Sequence, residues 1–201
     1  MITLYSMPSS GNSYKVRLLL HKLDQPYARV DCENASPEWE AERAKAPFGK
    51  LPFLKREDGS ILPESNAILW ELAEDTRFMP QTREARGDAL SWLIWEQTRH
   101  EPVIAVRQSL LTYPERRHLA TPERLAELLG AGQDALSVME NHLAKRNWIA
   151  GDAFSIADIA LYAYTHTAET RGGFTLGPAI RVWLARVEAD APHATLAETN
   201  R

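Results

Sequence analysis

Two stretches carry side chains whose types and spacing can do chemistry. The first is Phe48-Gly49-Lys50-Leu51-Pro52-Phe53, which resumes after a charged turn as Leu62-Pro63-Glu64-Ser65-Asn66-Ala67. An X–Pro bond is held cis at a cost of only about 0.5–1 kcal/mol. A cis Leu51-Pro52 bond turns the Leu51 backbone outward at a strand end, where its N–H and C=O can pair with a ligand backbone like an added strand. Lys50, one residue earlier, can meet a carboxylate. Glu64 and Ser65 stand where a helix begins, and the free N–H groups and dipole there favour an anion. Ser65 can bind a carboxylate through its hydroxyl and N–H, while Glu64 suits a ligand ammonium. The set fits a peptide-like ligand with an amino-acid head group at one end and a carboxylate at the other. Glu64-Ser65 also reads as a plain helix cap, and residue types alone do not choose.

The second stretch is Ser9-Ser10-Gly11-Asn12, at the start of the first helical pattern. A hydroxyl beside helix N–H groups can stabilise a thiolate by hydrogen bonding and by the helix dipole. A free thiol has a pKa of about 8.5, and lowering it by about two units needs only about 2.7 kcal/mol. Simple N-capping is the competing reading for each of these residues.

The elements that must position these groups follow from the periodicity. Residues 2–5 read as a strand, and Val16, Leu19, Leu20 and Leu23 recur at helical spacing with Lys15, Arg17 and Lys22 between them. Tyr27–Asp31 reads as a second strand, and Ser36-Pro37 starts a helix with Pro at its first position. Phe53-Leu54 and Ile61-Leu62 flank Asp58-Gly59 as a hairpin, and Ser65 caps a helix carrying Ile68, Leu69 and Leu72. The order β-α-β-α-β-β-α predicts an α/β layer of thioredoxin-like type over residues 1–77, and a short linker follows. Residues 83–201 read as an all-α domain, with long helices from Arg83 to about Leu111 and from Pro122 to about Lys145. Pro102 predicts a kink or break near Arg99 in the first of these, and Gly130 and Gly132 weaken the middle of the second. Two further helices start at Ser155-Ile156-Ala157-Asp158 and at Pro178.

Composition narrows the class. Of 201 residues, 44% are hydrophobic and 25% charged, as in a globular protein, and no apolar run approaches a membrane span. A net charge of −4 argues against a nucleic-acid partner. The N-terminus reads as a strand, not a signal peptide. The one cysteine, Cys32, allows no internal disulfide, which fits a cytoplasmic setting. The six histidines are scattered without paired ligand spacing, so no metal is expected.

With these pieces in order, the chain resembles a cytosolic glutathione transferase of bacterial, serine-type, zeta/theta/nu-like character. The matching segments are Ser10-Gly11-Asn12-Ser13-Tyr14-Lys15-Val16-Arg17, Gly49-Lys50-Leu51-Pro52, Pro63-Glu64-Ser65-Asn66-Ala67-Ile68 and Phe154-Ser155-Ile156-Ala157-Asp158-Ile159-Ala160. The resemblance implies a homodimer with glutathione as co-substrate and a small hydrophobic electrophile as the second substrate. It assigns Leu51 to the cysteinyl backbone before cis Pro52, Lys50 to the glycine carboxylate, and Glu64 and Ser65 to the γ-glutamyl end. Asp158 belongs to a folding element, a capping box with Ser155. Ser10 falls where serine-type members place their catalytic hydroxyl, Asn12 is a second donor and Ser9 a third. Tyr5 lies within a strand, and Cys32 is far in sequence from the thiol-facing loop with no CxxC partner. The helical half is expected to wall the electrophile pocket, with Arg99 and His100 reaching it where the helix bends. Glutathione-dependent isomerisation, peroxidase or disulfide reductase activity, and a non-catalytic glutathione-binding or interaction module on the same fold all remain open.

Overall fold

A computed structural model describes residues 1–33 and 36–200; the side chain of Asn200 lies outside the description. The chain divides into two compact units, one of Met1–Met79 together with the segment from Asp190 onward, the other of Pro80–Ala189.

The first unit is built on a four-stranded sheet. Its strands are β1 (Thr3–Ser6), β2 (Ala28–Asp31), β3 (Phe53–Lys55) and β4 (Ile61–Pro63), in the order β2-β1-β3-β4. β1 runs parallel to β2, as a βαβ unit requires, and antiparallel to β3, with Leu4 opposite Leu54 and Tyr5 opposite Phe53. The hairpin read from Asp58-Gly59 joins β3 to β4, and Gly59 supplies a φ of +87° that other residues resist.

Alternation along β1 and β3 sends side chains to the two faces of the sheet. Leu4 and Leu54 pack with Val16 and Leu20 of α1 (Gly11–Lys22) and Ile68 of α3 (Ser65–Ala73). Phe53 packs with Leu51, Ala46, Cys32 and, from α2 (Pro37–Arg43), Trp39. Tyr5 stacks on Phe53 with ring centroids 4.2 Å apart, so it serves the sheet surface. The expected β-α-β-α-β-β-α order is the order found.

The boundary expected at residues 83–201 differs from the compact units at its far end. Asp190 and the residues beyond it belong with the sheet. Tyr14 Oη donates to Ala194 O at 2.8 Å, Lys22 Nζ donates to Asp190 O and to Pro192 O, and Arg77 pairs with the Asp190 carboxylate at 2.8 Å. The bonds to Asp190 and Pro192 let α1 bury Lys22, while buried Lys15 and Arg17 are met by Asn66 and Thr199.

The second unit is all helical, with α4 (Arg83–Trp95), α5 (Glu101–Thr112), α6 (Pro122–Leu143), α7 (Ile156–Thr165), α8 (Ala168–Gly172) and α9 (Pro178–Ala189). The break expected at Pro102 is a π-helical stretch, Glu96–His100, which hands over to α5 with Pro102 in its first turn, where the missing N–H costs nothing. Gly132 has a packing reason, since a Cβ there would lie 2.3 Å from the ring of Phe174.

The start of α7 is tied by a complete capping box. Asp158 is fully buried, yet its carboxylate accepts from Ile149 N and Trp183 Nε1, each at 2.9 Å, and from Ser155 N and Oγ at 3.0 and 3.1 Å. Burial outweighs these donors and pushes its pKa up to about 6.

Candidate functional site

The residues with chemical potential collect at one end of the first unit, where the N-termini of α1 and α3 meet. Ser65 Oγ donates to Asn12 Oδ1 at 3.3 Å, and one helical turn deeper Lys15 Nζ donates to Asn66 Oδ1 at 3.0 Å. Two residues 53 positions apart in sequence thus sit side by side. Neither helix has an acidic residue in its first turn. Two positive helix ends placed together, without a resident carboxylate in either first turn, form a field that favours an anion.

The loop leading into α1 is fixed from within. Met7 N donates to Ser13 Oγ at 3.0 Å, and Ser10 N donates to Met7 O at 3.1 Å. Ser10 is the N-cap of α1, with extended backbone angles, and Tyr14 N donates to its carbonyl. Its hydroxyl makes no capping bond. Ser9 is tied elsewhere, donating its hydroxyl to Glu33 Oε2 at 2.9 Å. Among the three candidate donors of this loop, the geometry therefore separates Ser10, whose hydroxyl is uncommitted to the cap, from Ser9 and Asn12, whose side chains hold neighbours.

In the other stretch the cap of α3 falls on Glu64, and Ser65, expected to be the cap, is the first helical residue. The Leu51-Pro52 bond is cis. Leu51 takes no part in the sheet ladder, which begins at Phe53. Gly49 turns the chain ahead of it at a φ of +63°, and Lys50 is exposed. Glu64, the N-cap of α3, holds φ +72° and ψ +115° although it is not glycine, and its side chain makes no cap bond. A non-glycine residue held in such a region costs on the order of 1–3 kcal/mol and marks a site where the surrounding structure imposes the geometry. Here the imposed geometry leaves the Glu64 side chain exposed beside buried Ser65.

Arg99 and His100 lie in the helical unit. Arg99 is exposed. His100 is fully buried, with Nε2 3.0 Å from Thr165 Oγ1, which makes it a core partner of α7 and removes it from the residues proposed to touch a ligand. Cys32 is buried beneath the sheet, and desolvation, reinforced by Glu42, Asp31, Glu33 and Glu38, raises its thiol to about 11, which leaves it a poor nucleophile. Sequence reasoning missed Arg17, whose guanidinium holds three oxygens of the Ser6–Pro8 segment. Its place in the helical pattern as a charged residue between apolar ones gave no sign of this.

A thioredoxin-like unit with two converging helix N-termini beside a cis-proline strand end, followed by a helical unit, defines a glutathione-binding class of protein. The chain belongs to the glutathione S-transferase family. Residues 4–77 match the family described as glutathione S-transferase, N-terminal domain, and residues 122–186 its C-terminal domain. A solved structure from Rhodopseudomonas palustris, described as a possible glutathione S-transferase, is 42% identical over 98% of this chain and 90% of that one, with a TM-score of 0.91. A glutathione S-transferase from Pseudomonas fluorescens is 40% identical over 97% and 98% of the two chains, with a TM-score of 0.89. Glutathione S-transferase 3 of Zea mays is 31% identical over 94% of this chain and 89% of that protein.

Proposed function

We propose that this protein binds glutathione in its first unit, favours the thiolate through the Ser10 hydroxyl, and adds that thiolate to an apolar electrophile. The observation that carries the reading is the uncommitted Ser10 hydroxyl at the N-terminus of α1, beside the N-terminus of α3. The tripeptide is held as its chemistry suggests. The Leu51 backbone pairs with the cysteinyl unit, Lys50 meets the glycine carboxylate, Ser65 and the first N–H groups of α3 take the γ-glutamyl carboxylate, and Glu64 takes its ammonium. Asn12 supports Ser65 and is the second donor toward sulfur. Little more is asked of the protein than a lower thiol pKa and a nearby electrophile. Dimerisation and a cytoplasmic location come to this chain from family resemblance and belong to the same proposal.

A second reading has one observation behind it. A disulfide-bond oxidoreductase of Escherichia coli is 25% identical over 94% of this chain and 91% of that protein. Asn12, at the same loop, is compatible with thiol–disulfide chemistry.

The test is thiolate absorbance of bound glutathione together with turnover of chlorodinitrobenzene and of a glutathione mixed disulfide, in the natural protein and in Ser10→Ala. Absence of glutathione binding would end both readings. Turnover of the disulfide alone, lost in Asn12→Ala and kept in Ser10→Ala, would move the chemistry to the second.

A further inference from the structure

Arg17 stands between the thiol-facing loop and the segment beyond Asp190. It is fully buried, and no carboxylate takes its guanidinium in a hydrogen bond among the described residues. Nη1 donates to Ser6 Oγ at 2.5 Å and to Met7 O at 3.4 Å, and Nη2 donates to Pro8 O at 2.8 Å. The same Met7 carbonyl accepts from Ser10 N at 3.1 Å. On its other side, Nε donates to Thr199 Oγ1 at 3.2 Å. Thr199 Oγ1 gives its own proton to Leu196 O at 3.0 Å, so toward Arg17 it can only accept. The Thr199 carbonyl is in turn held by Arg29. A continuous path therefore runs from Thr199 through Arg17 and Met7 O to the backbone of Ser10.

The planar fork of a guanidinium suits this task, because it fixes several oxygens at set angles from one side chain. In a trans peptide the carbonyl and the following N–H point to opposite edges. Drawing Pro8 O toward Arg17 thus sets the Pro8–Ser9 peptide plane and the direction of Ser9 N–H, and the Met7 carbonyl, shared by Arg17 and Ser10 N, ties Ser10 to the same guanidinium. Burial lowers the guanidinium to about 10, which still leaves it charged at neutral pH. Asp31 is the acid that most favours that charge from a distance, and it is already paired with Arg29 at 2.7 Å.

We propose that Arg17 is a positioning residue for the thiol-facing loop and that Thr199 holds Arg17 in that role; the inference rests on the Ser10 reading above. The alternative is that both residues serve stability alone. The readout that separates them is the pH profile of thiol ionisation, which a merely structural residue would not move.

The experiment uses the whole chain as the natural protein, Thr199→Val, Arg17→Lys and Arg17→Met. For each, the ionisation of bound glutathione is titrated by thiolate absorbance, and kcat and KM for glutathione are measured with chlorodinitrobenzene at pH 6.5 and 8.5. Thr199→Val is expected to raise the bound thiol's pKa by about half a unit, lowering kcat about twofold at pH 6.5, with KM for glutathione within about twofold. The deficit closes at pH 8.5, where the thiol ionises unaided. Arg17→Lys keeps the charge without the fork and moves the same way; Arg17→Met moves further. Thr199→Val and Arg17→Lys decide the matter even where Arg17→Met does not fold. A natural pH profile in both, with a lowered melting temperature, would overturn the proposal. An ordinary thiol pKa in the natural protein itself would overturn the Ser10 reading first, before any variant is compared.

Discussion

Two serines begin helices in this molecule, and they do opposite things. Ser10 caps α1 and Ser155 caps α7, both with extended backbone angles. The Ser155 hydroxyl accepts from Ala157 N at 3.3 Å and bonds the Asp158 carboxylate, inside a closed box. The Ser10 hydroxyl makes no cap bond at all. A helix N-terminus needs its N–H groups satisfied, and an N-cap oxygen normally does this at a gain of about 1 kcal/mol. Where the gain is taken, the serine is structure. Where it is forgone, the N–H groups and the hydroxyl are available to a ligand.

The sharpest way to break the comparison is at Asp158. Replacing it with alanine leaves four buried donors without an acceptor, and the expected loss of unfolding free energy is about 4 kcal/mol at pH 5 by urea denaturation. Glutathione affinity per folded molecule should be unchanged. A loss below about 1 kcal/mol would show that the box is not closed to water.

The same residue gives the pH dependence. Its folded pKa of about 6 lies above the ordinary carboxylate value, so between the two the folded chain holds the extra proton. Its stabilising contribution is complete below about pH 4 and is lost as pH climbs through about 6, by up to about 3 kcal/mol. Denaturation midpoints across that window should carry this slope in the natural protein and lack it in Asp158→Asn.

The serines themselves come next. Ser10→Ala should lower kcat/KM at pH 6.5 at least tenfold, about 1.4 kcal/mol, and change unfolding free energy by less than about 0.5 kcal/mol. Ser155→Ala should do the reverse, costing about 1–2 kcal/mol of stability with turnover kept. If Ser10→Ala instead unfolds the protein at lower urea with catalysis intact, the two serines are the same kind of residue and the contrast is lost. The smallest effect is expected at Lys50. Its charge is exposed, so Lys50→Ala should raise KM for glutathione by less than about fivefold, with kcat constant and the difference shrinking in high salt.

Much of the fold could be read from local signals. Asp58-Gly59 announced the hairpin, Ser155 with Asp158 announced a box, and Pro102 announced the break that became a π-helical stretch. What could not be read depended on distant partners. The burial of Lys15, Arg17 and Lys22 could not be read, because nothing near them in sequence reveals that Asn66, Thr199 and Asp190 will meet them. Helix α8 spans only Ala168–Gly172, too short to show a period. For the site, the residue types were legible and the allocation of their hydrogen bonds was not. Only the folded geometry sends the Ser9 hydroxyl to Glu33 and leaves that of Ser10 out of the cap. His100 was misjudged because its distance from a proline kink says nothing about which way its ring turns.

The return of the segment beyond Asp190 to the sheet has a consequence for how the protein is made. Thr199 is joined to the chain 182 residues after the Arg17 it holds. A ribosome adding about 5–20 residues per second therefore leaves the loop and α1 waiting roughly 10–40 s for that partner. During synthesis the helical unit emerges whole before the sheet unit is complete. Of the buried cations on α1, Arg17 and Lys22 would spend that interval without these partners, whereas Lys15 meets Asn66 much sooner, so the first unit is a late finisher in an otherwise sequential assembly.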